Sequence, residues 1–363
     1  MVKVLYLEPA GKMWGSERSL LPLLKQGKAQ SCDAMVCLPY GAAFLKELKP
    51  LGLRVFPWLP ADLTNAGGFS KLRALLGLLG AALVSRAQIL HLNQAGFVRA
   101  AYLVASWLRR PINSASISRR TWMTKGRRVK RWRRVVCIAN SRFVASALEK
   151  NGVPADRIFQ ITNPIEGTEL MAGKTPRRWQ MGFVGRLSKD KGIELFLQAC
   201  QQAAQIRPTL KAVVVGSSGA KTAEGQDYLE AMQLLANKLG IADNVEFLGY
   251  RKDVLELMRQ MEVFVMASEA EPWGRVVAEA MMTGATVVAT DAGGPREMIT
   301  HGENGLLVPP GNVTAMAEAV LRLVENPEYA HRLAGAARQW VKRECNTVLH
   351  TTRVMQLYQR LLK

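Results

Sequence analysis

Short apolar runs bounded by turn residues alternate with segments of helical period along this chain, and the alternation happens twice. From the N-terminus the runs VKVLYL, DAMVCLP, LRVFPWL, QILHL, PINSASI and VVCIAN are interleaved with helical stretches such as SLLPLLKQGKA and AAFLKELKPLG. A polar break rich in Gly and Pro follows, from Asn163-Pro164 through Gly167 to Pro176. The pattern then restarts with WQMGFVG, IELFLQACQQAAQ, LKAVVVG, DYLEAMQLLANKLG, NVEFLGY, DVLELMRQ, MEVFVMA, RVVAEAMMTG, TVVAT, GLLVP and VTAMAEAVLRLVENP. Uniformly apolar strands joined by crossover helices require parallel sheets covered on both faces. The chain is therefore expected to be α/β, with two Rossmann-like doubly wound domains over residues 1–165 and 180–345, a linker over 166–179, and a terminal helix over 346–363. Ligands of such sheets bind beyond the carboxyl ends of the strands, which predicts a site in a cleft between two lobes.

A chain of 363 residues exceeds what one core usually fills, in agreement with two domains. Hydrophobic residues make up 48% and charged residues 21%, so neither disorder nor a fibrous repeat fits. Cys32, Cys37, Cys137, Cys200 and Cys345 are scattered without the spacing of a zinc site and read as reduced, mostly buried thiols. The start, MVKVLYLEPAG, has an apolar run cut off by Glu8, too short for the core of an export signal. A cytoplasmic location is expected. The longest apolar stretch, about Ala74 to Val84, falls short of the ~20 residues that span a bilayer and reads as a buried or interfacial helix.

Charge is distributed unevenly. Residues 1–175 hold 27 Lys or Arg against 9 Asp or Glu, whereas residues 176–363 hold 22 against 20. Within the basic half, Arg119 to Arg134 carries nine basic residues and no acid, interleaved with Trp122 and Trp132. Nine like charges at such density repel one another, so the segment calls for an anionic partner: nucleic acid, a membrane surface or a phosphorylated substrate.

Three constellations carry chemistry. In Phe183-Val-Gly-Arg-Leu-Ser-Lys-Asp-Lys-Gly192, a strand ends at Gly185 and a loop with Arg186, Lys189 and Lys191 leads to a helix. Cations at a helix N-terminus oppose the macrodipole, so a structural design would place acids there, whereas a diphosphate would draw on cations, dipole and free amides together. In Ser268-Glu-Ala-Glu-Pro-Trp-Gly-Arg-Val-Val-Ala-Glu279, Glu271 precedes Gly274 in a loop and Glu279 lies on the following helix. Ionised carboxylates can each accept from two neighbouring sugar hydroxyls. Structural roles are also open: Glu271 at the helix dipole, and Glu279 paired with Arg275 at i,i+4 in the weaker orientation. In Thr290-Asp-Ala-Gly-Gly-Pro-Arg-Glu297, Gly293 and Gly294 either let bare amides approach a ligand or serve a tight turn.

The runs FVGRLSKDKGIE, VVVG, VEFLGY and ASEAEPWGRVVAEAMMTGATVVATDAGGPREMITHGENGLLVPPGN, in this order, resemble the C-terminal domain of retaining glycosyltransferase family 4, which has the GT-B fold. The resemblance covers about residues 180–325. More weakly, Gly11-Lys-Met-Trp-Gly-Ser-Glu17 is similar to the family's first loop. It implies a nucleotide-sugar-dependent hexosyltransferase in which Arg186 and Lys191 grip the donor diphosphate, Glu271 holds the donor sugar and Glu279 the ribose. It further implies that Gly293 and Gly294 approach sugar and phosphate, that Gly15 lies near the diphosphate, and that Gly185, Gly216, Gly274 and Arg275 line the donor site. The segment VEFLGYRKDV, with Tyr250 and Val254, should lie beside the base. Catalysis then rests on Arg186, Lys191 and Glu271 stabilising a departing nucleoside diphosphate beside an oxocarbenium-like sugar. By the same resemblance the terminal helix crosses back to the N-terminal domain.

No Asp-x-Asp pair and no His cluster is present in the sequence, so a metal-independent reaction without a cofactor, using a UDP- or GDP-linked sugar, is expected. Among His91, His301, His331 and His350, only His91, at a strand's carboxyl end, is a candidate for function. The family's N-terminal His is missing from PINSASISRR, where Ser116, Ser118 or Arg119 stand in its neighbourhood, and Ser217-Ser218 follow KAVVVG where a second glycine is common. The basic first half suggests a lipid-linked or anionic glycan acceptor, as in cell-surface polysaccharide or lipopolysaccharide assembly, with Arg119–Arg134 docked on the inner face of the cytoplasmic membrane. Two other classes fit some features: a GT-B protein that binds, hydrolyses or epimerises a nucleotide sugar, and a nucleic-acid-binding protein. The latter leaves the sugar-binding constellation unexplained, and no nucleic-acid partner is expected.

Overall fold

The computed structural model describes residues 1–9, 15–57, 68–94, 98–115, 135–167, 175–218 and 227–363. The basic run Arg119–Arg134, Ser116 and Ser118, the first loop ahead of Gly15 and most of the expected linker lie outside the described residues.

The chain divides into two units, the first formed by Met1–Glu166 together with Cys345–Lys363 and the second by Gly167–Glu344. In the first, seven parallel strands are ordered β3-β2-β1-β4-β5-β6-β7. They are β1 (Val2–Leu7), β2 (Cys32–Leu38), β3 (Arg54–Pro57), β4 (Ile89–Leu92), β5 (Ile112–Ala115), β6 (Val135–Ala139) and β7 (Ile158–Gln160). Between them run α1 (Gly15–Ala29), α2 (Leu45–Leu48), α3 (Gly68–Ser85), α4 (Val98–Trp107) and α5 (Arg142–Lys150). Because alternate residues of a strand face opposite sides, Leu5, Leu7, Leu90 and Leu92 pack under Leu78, Ala81 and Ala82 of α3 and Ala101, Val104 and Ala105 of α4. Val4, Tyr6, Val36 and Leu38 pack on the other face with Leu20, Leu21 and Leu24 of α1. The helix expected over AAFLKELKPLG is reduced to the single turn α2 and a 3₁₀ turn, Lys49–Leu51, which contains Pro50 and stops at Gly52 with φ of 62°. Pro50 has no amide to continue the helix.

The second unit holds six parallel strands in the order β10-β9-β8-β11-β12-β13. These are β8 (Trp179–Val184), β9 (Ala212–Val215), β10 (Val245–Gly249), β11 (Met261–Met266), β12 (Thr286–Thr290) and β13 (Leu306–Val308). Its helices are α6 (Ile193–Ile206), α7 (Tyr228–Lys238), α8 (Val254–Arg259), α9 (Arg275–Thr283), α10 (Pro295–Met298), α11 (Val313–Glu325) and α12 (Pro327–Glu344). The chain builds outward from β8 to β10 and then returns to place β11 on the other side of β8. That reversal is the topological switch point, where the loops after β8 and β11 part. The helix α12 has no counterpart in the sequence expectation, whose last helical run before the terminal helix, VTAMAEAVLRLVENP, ends at Pro327. Pro327 is the first residue of α12, a position whose amide needs no partner, and the Asn326 side chain caps it by accepting from the Tyr329 amide at 3.0 Å.

The terminal helix α13 (Thr347–Leu362) belongs to the first unit, capped by Asn346, and packs Val354, Met355, Leu357 and Tyr358 against the α1 side of its sheet. His350 donates from Nδ1 to the Thr162 carbonyl at 2.8 Å, and the Ile165 amide bonds the Cys345 carbonyl at 2.9 Å.

Candidate functional site

In the second unit, the three constellations singled out in the sequence follow the carboxyl ends of β8, β11 and β12. After β8 come Gly185 and Arg186, then a 3₁₀ turn over Lys189–Lys191 that ends at Gly192 in the left-handed region, φ 70°, immediately before α6. After β11 come Ser268 to Gly274, the last with φ of 89°, immediately before α9. The N-caps of α6 and α9 are Gly192 and Gly274, so neither helix start has a side-chain cap bond, an arrangement suited to an anion.

Two backbone crossings fix these loops. Gly216, after β9, has φ of 147°, and a Cβ there would lie 1.8 Å from the Gly185 carbonyl oxygen. Gly293, after β12, has φ of 65°, and a Cβ there would lie 2.2 Å from the Glu271 carbonyl oxygen. Both places exclude every side chain, and the second pins the loop that carries Glu271. The Gly294 amide donates to the Glu271 carbonyl at 2.8 Å, so it holds this loop in place and is not free for a ligand.

The charged groups are brought together in pairs. Lys191 Nζ forms an ion pair with Glu271 Oε2 across the switch point, and both side chains are largely buried. Arg275 Nε pairs with Glu279 Oε1 at 2.9 Å, also largely buried, so the i,i+4 structural pair is made despite its weaker orientation. Arg186 does not join Lys191 in this arrangement. Half exposed, it bonds Asp190 at 3.2 Å and Ser188 at 3.3 Å. Tyr250, 68% exposed, and Val254, the first residue of α8, lie beyond β10 on the flank of the sheet. Gly15 is in the first unit, where it is the first residue of α1 and its carbonyl accepts from Ser19 Oγ at 3.0 Å.

His91 is not a site residue. It is fully buried in β4, with Nδ1 2.5 Å from the Tyr358 hydroxyl of α13, and Tyr358 in turn donates to Tyr6 at 3.3 Å. Burial pushes its pKa down to about 3, so the ring is neutral and serves to hold α13. Its partner lies 267 residues away in sequence, which hid this role. The sequence reading also passed over Ser268. Its hydroxyl is buried and, among the described residues, without a hydrogen-bond partner, at the base of the Glu271 loop. Its position directly after the run MEVFVMA was the available signal.

The first unit has a different cluster at the ends of β1 and β4. Glu8 and Glu17 are fully buried; Asn93 donates to Glu8, and Gln94 Nε2 donates to Glu8 at 3.2 Å and to Ser16 Oγ at 3.0 Å. Ser16 Oγ donates in turn to Glu17 at 2.9 Å.

Residues 172–340 match the family model described as glycosyl transferases group 1. The chain is 29% identical over 298 residues to the lipopolysaccharide core biosynthesis mannosyltransferase LpcC of Rhizobium leguminosarum, covering 77% of this chain and 80% of that one. It is 37% identical over 149 residues to a D-inositol 3-phosphate glycosyltransferase of Corynebacterium jeikeium, covering 40% of this chain and 35% of that protein. The crystal structure of Anabaena HepE in complex with UDP and glucose superposes with a TM-score of 0.83 at 24% identity, over 99% of this chain and 100% of the other.

Proposed function

We propose that this chain, which is a glycosyltransferase with the GT-B fold, moves a sugar with retention of configuration from a nucleoside diphosphate donor to a lipid-linked or anionic glycan. The observation that carries the donor reading is the Lys191–Glu271 pair at the switch point, set beside the uncapped starts of α6 and α9. Among the described residues, this is where cation, carboxylate and the uncapped helix starts converge. In this reading a diphosphate takes Lys191 and the α6 amides, and Glu271, released from its partner, accepts hydroxyls of the sugar. Arg186 turns from Asp190 to the same diphosphate. The two cations then offset the charge that grows on the leaving nucleoside diphosphate as the glycosidic bond breaks, which makes a metal ion unnecessary.

The similarity to a lipopolysaccharide core mannosyltransferase supports a cell-surface glycan as acceptor, and the likeness to a protein crystallised with UDP and glucose is in keeping with a nucleotide-sugar donor. The basic first half supports work at an anionic membrane surface, with Arg119–Arg134 on acidic headgroups at the inner face of the cytoplasmic membrane. Thermal unfolding in the presence of UDP, GDP, ADP or dTDP tests the donor reading. One of them should raise the melting temperature, since a ligand at ~100 times its dissociation constant adds about 2.7 kcal/mol. Turnover should persist in chelator. Absence of a shift with all four would sink the donor assignment.

A further inference from the structure

We propose that the outward surface of α3 and α4 is an apolar docking face for an anionic lipid bilayer. The face rests on the membrane part of the reading above but is built from different residues. An amphipathic helix at a sheet surface normally turns polar residues outward. Here α3 buries Ala74, Leu78, Ala81 and Ala82 against the sheet, yet Phe69, Leu72, Leu76 and Leu83 stand on the opposite side, from 53% exposed at Leu83 to 80% at Phe69. At about 100° per residue these four fall within an arc of about 60°, a continuous stripe. On the neighbouring α4, Leu103 and Trp107 are one turn apart and also exposed, Trp107 at 70%. Both helices pack on the same face of the sheet, so both stripes look away from it.

The charge of this stretch of the sequence, and of the arginines at the helix ends, identifies the occupant. Between Asp62 and Glu149 the sequence holds sixteen Lys or Arg and no acidic residue, and both helices lie inside this span. Exposed Arg86 ends α3, and exposed Arg109 and Arg110 end α4. Arg86 and Arg109 occupy the left-handed region, with φ of 50° and 56°, where glycine is the ordinary residue. In both cases the following amide closes the helix end, Ala87 onto Ala82 at 3.3 Å and Arg110 onto Ala105 at 2.8 Å. Two strained arginines where glycine would be easier mark a demand for cations at the edge of an apolar surface. Among the described residues no helix is long and apolar enough to cross a membrane, so α3 and α4 lie on the bilayer without spanning it. Apolar side chains entering the headgroup boundary with cations at the rim match an anionic leaflet.

The test is co-sedimentation of the full chain with vesicles of phosphatidylcholine alone or mixed with phosphatidylglycerol, at low and high salt and without acceptor. The chain should bind the mixed vesicles, weakly or not at all the neutral ones, and less as salt rises. Combining Phe69→Gln, Leu72→Gln, Leu76→Gln and Trp107→Gln should lower partitioning by about a hundredfold. Circular dichroism of that variant should stay unchanged, because none of the four is buried. The pair Arg86→Gly and Arg109→Gly should lower partitioning about tenfold at low salt while raising the melting temperature, since backbone strain is relieved. Equal binding to neutral and anionic vesicles, or wild-type binding by the fourfold variant, would overturn the proposal. So would a fall in molecular mass of the fourfold variant in lipid-free analytical ultracentrifugation, which would make the face a contact between copies. The nucleotide-dependent thermal shift is read on the same variants; it should survive in all of them, so loss of membrane binding and loss of donor binding are told apart.

Discussion

The two units have the same architecture of parallel strands between helices, but the carboxyl ends of their strands are finished in opposite ways. In the second unit the backbone does the work. Strand ends touch through Gly185 and Gly216, the Glu271 loop is pinned by Gly293 and Gly294, and the charged side chains above it, Lys191 and Arg186, keep some contact with solvent. In the first unit the corresponding edge is filled by side chains: Glu8 and Glu17 are buried with Asn93, Gln94 and Ser16 bonded around them, and His91 is sealed under Tyr358. A backbone-lined edge leaves room for a ligand whose charge must be met, whereas a side-chain-filled edge has already met its own.

Three measurements press on this contrast. Replacing Lys191 by Met should cost about a thousandfold in turnover and abolish the nucleotide-dependent thermal shift, because a preorganised cation facing a growing charge is worth about 4 kcal/mol. Arg54→Met, which removes the cation of the exposed Arg54–Asp33 pair in the first unit, should leave both readouts unchanged. If the two variants behave alike, the loss in the Lys191 variant is not specific to the switch point and the donor-site reading fails. Gly216→Ala should destabilise the protein by about 2–4 kcal/mol in urea unfolding, since its Cβ meets a carbonyl that cannot move aside.

A separate effect concerns pH and the first unit alone. Burial depresses His91 to about 3 and His350 to about 4, below the value of about 6.5 of an exposed imidazole. Above about pH 6.5 the rings are neutral whether folded or not. As pH falls, the unfolded chain takes up protons the folded one refuses, so stability drops from about pH 6.5 down to about 3 for His91 and about 4 for His350, by up to about 1.4 kcal/mol per pH unit for each ring. Urea midpoints at stepped pH should show this loss, and His350→Asn should shrink it. A flat profile across the window would mean that these rings are not buried.

Much of the fold could be read in advance, because strands buried on both faces are continuous apolar runs and their order along the chain fixes the crossover pattern. The residues proposed for the donor could be picked out for a related reason: Arg186, Lys191 and Glu271 sit close to turn glycines within short segments, and Glu279 follows in the helix that Gly274 opens. What escaped depended on contacts distant in sequence or on a residue with two meanings. His91 needed Tyr358 to explain it. Pro327 ends the run VTAMAEAVLRLVENP and opens a further helix, α12. Pro50 ended a helix that the periodicity of AAFLKELKPLG favoured. The Gly294 amide looks available in sequence, and only the fold shows that Glu271 has taken it.

The chain enters the first unit twice, and the hydroxyls of Tyr6 and Tyr358 meet across 352 residues. A ribosome therefore delivers every part of the second unit before it delivers the piece that closes the first. Vectorial synthesis, which usually lets the leading domain settle first, is here reversed: the middle of the polypeptide can finish folding while its beginning waits, with Tyr6 and His91 still uncovered, for the last helix to emerge.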